Sequence, residues 1–300
     1  STTSKTIIYF PTGGTYDCLG TGTQTGYVRG DPVMQFTNCD HVEITGPFEI
    51  NGSRALGWNV PTADVLLQYA IRIEGTSKRL VHVEGVDFRN IRVHGILVNY
   101  GGTYGYEFVN VRNCRGYNLP HGLVKVNGQH DQIILQNLYS EDPNAYAVFN
   151  TNSNVQAISI TGNVEAVVNG DKRIKQAIIQ DSMARYSNAT IRIQQGCDFS
   201  LMKNIVVQDR GFDSDGNDTL HVGGPSIKTD NVWWRGKAFD VVENYQMLNT
   251  NPDTRFLSAW IGQAGDQSIK FVGCDFDSKV VIHGDGNRNV AAGEGHSRFG

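Results

Sequence analysis

The chain has 300 residues, with 26 Lys and Arg against 30 Asp and Glu, which gives a formal net charge of −4. Nucleic acid is not an expected partner, because phosphate binding depends on clustered Lys and Arg that the sequence lacks. Membrane insertion is not expected either, since no apolar stretch reaches about 18 residues. Glycine is frequent, at 34 residues, and proline occurs only 8 times. With almost no long helical periodicity, this composition favours strands and turns.

Short alternating apolar runs recur along the chain, and each is followed directly by Gly, Asn or Asp. These residue types adopt a left-handed backbone conformation most readily, so each one predicts a bend at the end of a strand. Most intervals between them are about 20 to 30 residues, a period typical of repeat folds. The nine predicted bends are Gly46, Gly85, Asn113, Asn137, Gly162, Asp181, Asn204, Asn231 and Gly273.

The residues two and four positions before each bend are mostly apolar, as in Val81 and Val83, and are predicted to face inward. Residues one position before the bends are mostly polar and are predicted to face outward. This pattern predicts one domain over residues 1–300, built as a solenoid of parallel strands in which each turn stacks on the preceding one. A β-propeller fits less well, because few hairpin signals are present. The best helical candidate is the short segment 243–248.

Stacking in chain order makes two predictions about charges that face outward. It places Glu84 beside Arg112 and Lys203 beside Asp230, at the spacing of adjacent strands. Each such pair is expected to contribute less than about 1 kcal/mol.

Five cysteines are present, at positions 18, 39, 114, 197 and 274. Their odd number and wide spacing indicate neither a zinc site nor a complete disulfide framework. Cys114 and Cys274 directly follow predicted bends, where apolar residues occur elsewhere, and are predicted to be buried free thiols.

Several segments resemble a known superfamily. Residues 6–16, TIIYFPTGGTY, followed by residues 42–46, resemble the first turn of the pectate-lyase-like right-handed β-helix superfamily. Residues 145–150, AYAVFN, and 157–163, AISITGN, resemble turns of phage tailspikes and related polysaccharide-active members. The resemblance extends over nearly the whole chain and implies a right-handed single-stranded parallel β-helix, a solenoid. It also implies an extracellular protein, in a phage virion tail or secreted, whose partner is a polysaccharide.

More specific signatures of the superfamily are missing. The polygalacturonase motifs are represented only by Asn150-Thr-Asn152, Arg173-Ile-Lys175 and Gly295-His296-Ser297, without their acidic members and in the wrong order. The Tyr-Gly-Phe-Asp-Pro-His motif of mannuronan epimerases is absent. The resemblance therefore indicates the fold more specifically than the reaction.

Residues three to five positions beyond the bends are predicted to line up along the stack as a track for a linear glycan. Such a track offers carboxylates for acid–base chemistry and guanidinium groups for sugar carboxylates or hydroxyls. The predicted strip consists of Arg89, Tyr117, Glu141, Asp142, Glu165, Arg185, Asp209, Arg235 and Asp277.

Glu141 and Glu165 are predicted to lie on adjacent turns of the stack. Their carboxyl groups would then be about 5 Å apart, near the separation found in retaining glycosidases. This pair, with Asp142 as the alternative partner, is the first prediction for a general acid and a nucleophile or base.

A second acidic cluster comprises Asp209, Asp213, Asp215 and Asp218. The spacing of the last three is similar to that of a calcium loop, although the positions of its glycines exclude an EF-hand. An irregular Ca²⁺ site, an acid pair for hydrolysis and a simple polar turn all remain open. No other cofactor is predicted.

Aromatic side chains provide a further prediction, because sugar rings stack on exposed Tyr and Trp. Tyr104 and Tyr106 lie in a Gly-rich segment, and Trp233 and Trp234 must point to opposite faces of a strand. One of the two tryptophans is expected to be exposed, either to bind glycan or to contact a neighbouring subunit.

Three functions follow from these observations. The favoured one is hydrolysis of a bacterial capsule, O-antigen or exopolysaccharide by a tailspike-like depolymerase. A polysaccharide lyase that acts on a uronate polymer and a non-catalytic glycan-binding or structural β-helix are the alternatives. Because the ends of a solenoid expose unpaired strand edges, self-association as a homotrimer is also predicted.

Overall fold

The structure is a computed structural model, and it describes eighteen separate segments of the chain. All statements about structure refer to these segments, which are residues 5–9, 15–17, 34–51, 69–74, 79–91, 94–98, 105–119, 122–141, 158–161, 174–185, 191–194, 197–208, 227–231, 239–248, 258–263, 268–276, 279–283 and 296–297.

Every regular element in these segments is a β-strand. The strands are β1 (Lys5–Tyr9), β2 (Thr15–Asp17), β3 (Met34–Thr37), β4 (His41–Asn51), β5 (Tyr69–Glu74), β6 (Leu80–Arg89), β7 (His94–Val98), β8 (Phe108–Arg112), β9 (Arg115–Tyr117), β10 (Val124–Asn127), β11 (Gln132–Gln136), β12 (Tyr139–Glu141), β13 (Ile158–Thr161), β14 (Ile174–Arg185), β15 (Ile191–Gln194), β16 (Cys197–Gln208), β17 (Ile227–Asn231), β18 (Phe239–Leu248), β19 (Ser258–Gln263), β20 (Ser268–Val272), β21 (Asp275–Phe276), β22 (Lys279–His283) and β23 (His296–Ser297).

The strands form two sheets. The first has 13 strands along the path β1-β4-β6-β8-β11-β14-β16-β18-β20, with β2, β9, β12 and β21 paired beside this path. The second has 10 strands in the order β23-β22-β19-β17-β15-β13-β10-β7-β5-β3. Strand pairs in both sheets are parallel except β22–β23, which is antiparallel. The prediction of an all-β protein with parallel sheets is confirmed.

From β3 onward the chain alternates between the two sheets, and their inward side chains form one core. Val83 and Val111 from the first sheet, and Ile96 and Val126 from the second, belong to the same hydrophobic cluster and are fully buried. The alternation of buried and outward residues predicted from period two is confirmed in strands of both sheets, such as β6 and β10, whereas all five residues of β7 are buried. Because each strand hides one face, a change of register by one residue would expose the core.

The structure corrects three predictions, two of them because the chain alternates between the sheets. The strands that precede Gly162 and end at Asn231 are β13 and β17, which belong to the second sheet and not to the series of bends in the first. The segment 243–248 is part of the strand β18 and not of a helix. Among the described residues, no helix is long and apolar enough to span a membrane.

Six of the nine predicted bends have the predicted left-handed backbone. Their φ angles lie between 51° and 70°, at Gly85, Asn113, Asn137, Asp181, Asn204 and Gly273. Asn244, with φ of 49°, is a seventh bend in this series that the sequence pattern did not identify.

Gly46 has no left-handed backbone, so the prediction for this residue is wrong. It precedes a cis peptide bond to Pro47, and the register between β4 and β6 shifts from Thr45 to Phe48. A Cβ atom on Gly46 would lie 2.7 Å from the carbonyl carbon of Gly85. Glycine is therefore required here by the close approach of two backbones.

The bends in the first sheet are connected by side-chain hydrogen bonds. Asn137 donates to Asn113 at 2.7 Å, and Asn204 donates to Asp181 at 2.7 Å. Asn244 donates in turn to Asn204 at 3.1 Å. These bonds run across the strands and link each bend to an earlier one, which explains why Asn and Asp are used here as well as Gly.

One of the two predicted charge pairs is confirmed and the other is wrong. Arg112 lies opposite Glu84 and donates to it at 2.8 Å. Lys203 lies opposite Glu243, with the two charged atoms 2.9 Å apart. Asp230 is on β17 in the second sheet, where its register neighbours are Gln194 and Gly262.

The outer face of the first sheet has an apolar row that the sequence pattern did not predict. Ile134, Ile178, Leu201 and Val241 follow one another in register on β11, β14, β16 and β18. Their side chains are half-buried, whereas the residues on either side of Ile134, Ile178 and Leu201 are buried, as is Val242 after Val241. We call these four residues the outer apolar row.

The cysteines that the structure describes are free thiols, at positions 39, 114, 197 and 274. Cys114 is fully buried, as predicted, whereas Cys274 is partly exposed. Burial raises the pKa of Cys114 to about 12.

Candidate functional site

Polar side chains accumulate on the outer face of the first sheet, in the short strand segments that follow the bends. One register row contains Asn51, Arg89, Tyr117, Glu141, Arg185 and Gln208, on β4, β6, β9, β12, β14 and β16 in turn. A second row, two residues earlier on each strand, contains Glu49, Asp87, Arg115 and Tyr139. We call Glu49, Asp87, Arg89, Arg115, Tyr117, Tyr139, Glu141, Arg185 and Gln208 the Arg–Tyr face.

Simple alternation after each bend creates this face. After the bend at Gly85, Val86 and Phe88 point into the core and are fully buried, so Asp87 and Arg89 point outward. The same alternation after Asn113 turns Arg115 and Tyr117 outward. Since successive strands are parallel and in register, equivalent outward residues lie about 4.8 Å apart across the sheet.

A second set of left-handed bends ends several of these segments. Asn90 follows Arg89 with φ of 56°, and Asn118 follows Tyr117 with φ of 61°. Asn90 donates to Asn51 at 2.7 Å and accepts a hydrogen bond from Asn118 at 2.6 Å. These contacts fix the backbone directly beside Arg89 and Tyr117, so they position the side chains of the face.

Arg89 is the centre of one end of the face. Its Nε donates to Oε2 of Glu49 at 2.6 Å, and its guanidinium carbon lies 4.3 Å from the centre of the Tyr117 ring. The hydrogen bond to Glu49 raises the pKa of Arg89, so this side chain stays charged. An arginine fixed over an aromatic ring can donate its remaining N–H groups to sugar hydroxyls or carboxylates.

Asp87 lies next to this pair and differs from an ordinary surface aspartate. Burial raises its pKa, and the charge of Glu49 acts in the same direction. Arg115 and Arg89 oppose this effect without cancelling it. Asp87 is therefore more easily protonated than a fully solvated aspartate.

The other end of the face is organised by Tyr139 and Glu141. The Tyr139 hydroxyl donates to Oε2 of Glu141, and the Tyr139 ring lies 5.6 Å from the Tyr117 ring, tilted by 48°. Burial, followed by the contact with Glu141, raises the pKa of Tyr139 to about 12. The neighbouring Arg185 donates to Gln208 at 3.0 Å. Tyr139 is thus a hydrogen-bond donor near neutral pH and a poor base.

The strip predicted from the sequence is present where the structure describes it. Arg89, Tyr117, Glu141 and Arg185 each lie four residues beyond a bend and are consecutive neighbours in one row. The next neighbour is Gln208, which the sequence pattern did not select. The remaining predicted residues lie outside the described segments, namely Asp142, Glu165, Asp209, Arg235 and Asp277.

The predicted adjacency of Glu141 and Glu165 depended on a bend at Gly162 in the same series. The strand before Gly162 belongs to the second sheet, and the register neighbours of Glu141 are Tyr117 and Arg185. The interval between Asn137 and Asp181 thus contains a passage through the second sheet. The strand next to Glu141 on its later side is β14, so the premise that placed Glu165 on that strand is wrong.

Tyr106 is not available to a glycan, contrary to the prediction. It is 1% exposed, and its ring stacks on His130 with the ring centres 5.9 Å apart. The other predicted aromatic residues, Tyr104, Trp233 and Trp234, lie outside the described segments.

The aspartates at 213, 215 and 218, for which Ca²⁺ is one interpretation, also lie outside the described segments. In the part of the chain that the structure describes, no group of three or more His, Cys, Asp or Glu is arranged to hold a metal ion.

Sequence reasoning missed Glu49, Asp87, Arg115 and Tyr139, which form the second row of the face. The signal was present, because each of these residues lies two positions before a residue of the first row and period two turns both outward. For Glu49 the signal was weaker, since the irregularity after Gly46 changes its distance from the bend.

Comparisons with protein-family models, with curated proteins and with solved structures find no match to this chain.

Proposed function

We propose that the chain winds as a right-handed parallel β-helix that binds and hydrolyses a bacterial surface polysaccharide along the Arg–Tyr face. The observation that carries this proposal is the row of Arg89, Tyr117, Glu141 and Arg185 on four neighbouring strands. A row that crosses parallel strands offers a repeating series of contacts to an extended polymer. Aromatic and guanidinium groups, together with carboxylates, are the groups that glycan recognition and hydrolysis need.

The balance of charge on the face is compatible with a sugar polymer. Its three arginines are matched by Glu49, Asp87 and Glu141, so the face has no excess of positive charge. Binding would depend on directed hydrogen bonds and ring stacking more than on attraction between net charges.

Hydrolysis is preferred over elimination because of the protonation states of the tyrosine and carboxyl side chains on the face. A lyase needs a base that removes a proton beside a uronate carboxylate, and Tyr139, whose side chain also interacts with Arg185, is the tyrosine to weigh for that role. Its pKa of about 12 disfavours the phenolate form that such a base requires. Carboxylates on the same face can provide both a proton donor and a base or nucleophile.

Purified bacterial capsules, O-antigens and uronate polymers provide the test. Hydrolysis produces new reducing ends without absorbance near 235 nm, elimination produces that absorbance, and a non-catalytic binding protein produces neither. We expect new reducing ends from at least one polymer. Replacement of Tyr117 by Ala should weaken binding of that polymer by roughly fivefold, because the lost stacking contact contributes about 1 kcal/mol. A protein that retains polymers without producing reducing ends would contradict hydrolysis.

We further propose that the protein acts outside the cell, secreted or in a virion tail, and that its copies associate as a homotrimer. The outer apolar row supports association, because Ile134, Ile178, Leu201 and Val241 form a continuous apolar line on an outward face. Val272, on the neighbouring strand, is 41% exposed. Contiguous outward apolar groups are typical of protein interfaces. Light scattering should give a mass near three chains, and a monomer mass would contradict the proposal.

A further inference from the structure

Two carboxylates of the Arg–Tyr face are direct neighbours across a strand pair. Glu49 on β4 and Asp87 on β6 are register partners and both point outward. Adjacent strands are about 4.8 Å apart, which is close to the separation of about 5 Å between the two carboxyl groups of retaining glycosidases. Glu141 has no such neighbour, because Tyr117 and Arg185 occupy the positions beside it. Within the face as defined above, Glu49 and Asp87 are the carboxylate pair on adjacent strands.

The surroundings of these two carboxyl groups differ: an arginine side chain holds the carboxylate of Glu49, whereas burial favours the protonated carboxyl group of Asp87. Glu49 is in a salt bridge of 2.6 Å with Arg89 through its Oε2, and its side chain is 24% exposed. Asp87 lies between Glu49 and Arg115 in register, and burial raises its pKa. Paired carboxyl groups whose environments separate them in this way are typical of acid and nucleophile assignments in hydrolases.

We propose that Asp87 is the general acid and base, and Glu49 the nucleophile, of a retaining glycoside hydrolase. This inference rests on the proposed function and names the residues that perform it. The pair replaces Glu141 and Glu165 as the reacting carboxylates. Glu141 then contributes to binding through the row that it shares with Tyr117 and Arg185.

In the first step, the Asp87 carboxyl group donates its proton to the glycosidic oxygen as the bond from that oxygen to C1 breaks. Oε1 of Glu49 attacks C1 from the opposite side and forms a covalent glycosyl ester. Arg89 holds Oε2 of Glu49 during this attack and so orients the carboxylate.

In the second step, the Asp87 carboxylate removes a proton from a water molecule, whose oxygen bonds to C1. The bond between C1 and Glu49 breaks, which restores the Glu49 carboxylate and the Asp87 carboxyl group. Water is the only other reactant consumed. Two inversions at C1 give a product with the anomeric configuration of the substrate.

The test uses the polymer that the wild-type chain cleaves among the purified capsules, O-antigens and uronate polymers. Asp87→Asn and Glu49→Gln should each reduce kcat by roughly a thousandfold and leave KM within a fewfold of wild type. Glu243→Gln is the matched control, since Glu243 also pairs with a cation on the outer face of the same sheet. Its rate should equal that of the wild type. The folded state of each variant is checked by circular dichroism.

Two further measurements separate a chemical role from a structural one. The first product formed by the wild type should retain its anomeric configuration in proton NMR. Azide should restore cleavage in Glu49→Ala and yield a glycosyl azide, because azide can attack C1 where the carboxylate is missing while Asp87 still protonates the leaving oxygen. Rescue should not occur in Asp87→Ala combined with Glu49→Ala, because the sugar leaving group of the polymer needs a proton.

The outcomes distinguish the inference from the proposed function. Wild-type cleavage together with rates within tenfold of wild type in Asp87→Asn or Glu49→Gln would overturn the inference and leave the function intact. An inverted first product would likewise overturn the assignment of Glu49 as nucleophile. Absence of cleavage of every polymer by the wild type would overturn both proposals.

Discussion

His130, a histidine in the protein interior, should make stability depend on pH. His130 is fully buried. Its Nδ1 accepts a hydrogen bond from the backbone N–H of Tyr106 at 2.9 Å, and its Nε2 lies 2.8 Å from the carbonyl oxygen of Asn127. An acceptor at Nδ1 and a donor at Nε2 describe the neutral ring. A second proton would break the bond to Tyr106 and bury a charge.

The expected magnitude follows from the difference in pKa between the folded and unfolded chain. Burial lowers the pKa of His130 from its ordinary value of 6.5 to about 4, against smaller opposing effects of Asn127 and Asp131. The unfolded chain therefore binds more protons between these two values, and the free energy of unfolding falls as the pH decreases through that window. The stabilisation is fully present above pH 6.5, and its full size is about 3 kcal/mol. Between about pH 7 and pH 5 the loss should be about 2 kcal/mol.

Urea unfolding of the wild type and of His130→Gln, each near pH 7 and near pH 5, measures this contribution. Gln keeps a neutral polar side chain that does not titrate in this range. The comparison uses the change in each protein between the two pH values, so a lower absolute stability of the variant does not affect it. We expect the wild type to lose about 2 kcal/mol more than the variant. Equal losses, or an NMR titration of the His130 ring with a pKa near 6.5, would refute the reasoning.

Three other predictions follow from single contacts. Asn90→Ala should lower the free energy of unfolding, measured in urea, by about 3 kcal/mol, because it removes the hydrogen bonds to Asn51 and Asn118 and forces Ala into a left-handed conformation. Asn90→Gly should lose less stability, and equal losses in the two variants would contradict the backbone contribution. Cys114, buried with a pKa raised to about 12, should resist maleimide in the native chain and react after unfolding, as mass spectrometry can determine; rapid native labelling would show that the thiol is accessible. Tyr106→Phe should leave stability unchanged or raise it by up to about 1 kcal/mol, since the hydroxyl is buried without a partner among the described residues; a loss of more than about 1 kcal/mol in urea would reveal a hydrogen bond that the structure does not show.

The sequence predictions were accurate for features set by neighbouring residues and less accurate for features set by residues that are distant in sequence. Asn113 and Asn137 were identified as left-handed bends because conformational preference is a property of a single residue and its strand. Asn244 was missed because the sequence analysis assigned the segment 243–248 to a helix. In the structure the strand β18 continues through this segment, on both sides of the bend. Gly46 was misjudged because its role depends on the approach of Gly85, which is distant in sequence.

The candidate site shows the same division. Arg89 and Tyr117 were correctly predicted as neighbours, because the bends before them are consecutive in the first sheet. Lys203 was assigned to Asp230 instead of Glu243, and Glu141 to Glu165 instead of Arg185, because no local signal states which sheet a strand joins. Strand pairing is decided by the whole chain, since the passage through the second sheet varies in length.

The sequence by itself determined most of the bends in the first sheet and the alternation of inward and outward side chains, because bend conformation and period two are local properties. Tertiary structure decided most of the contacts between outward residues. The pairing of Glu49 with Asp87, the stacking of Arg89 on Tyr117 and the outer apolar row all depend on register between strands that are far apart in the chain. The physical reason is that parallel strands are joined through long connections, so their alignment is fixed by burial of the shared core and not by any local turn.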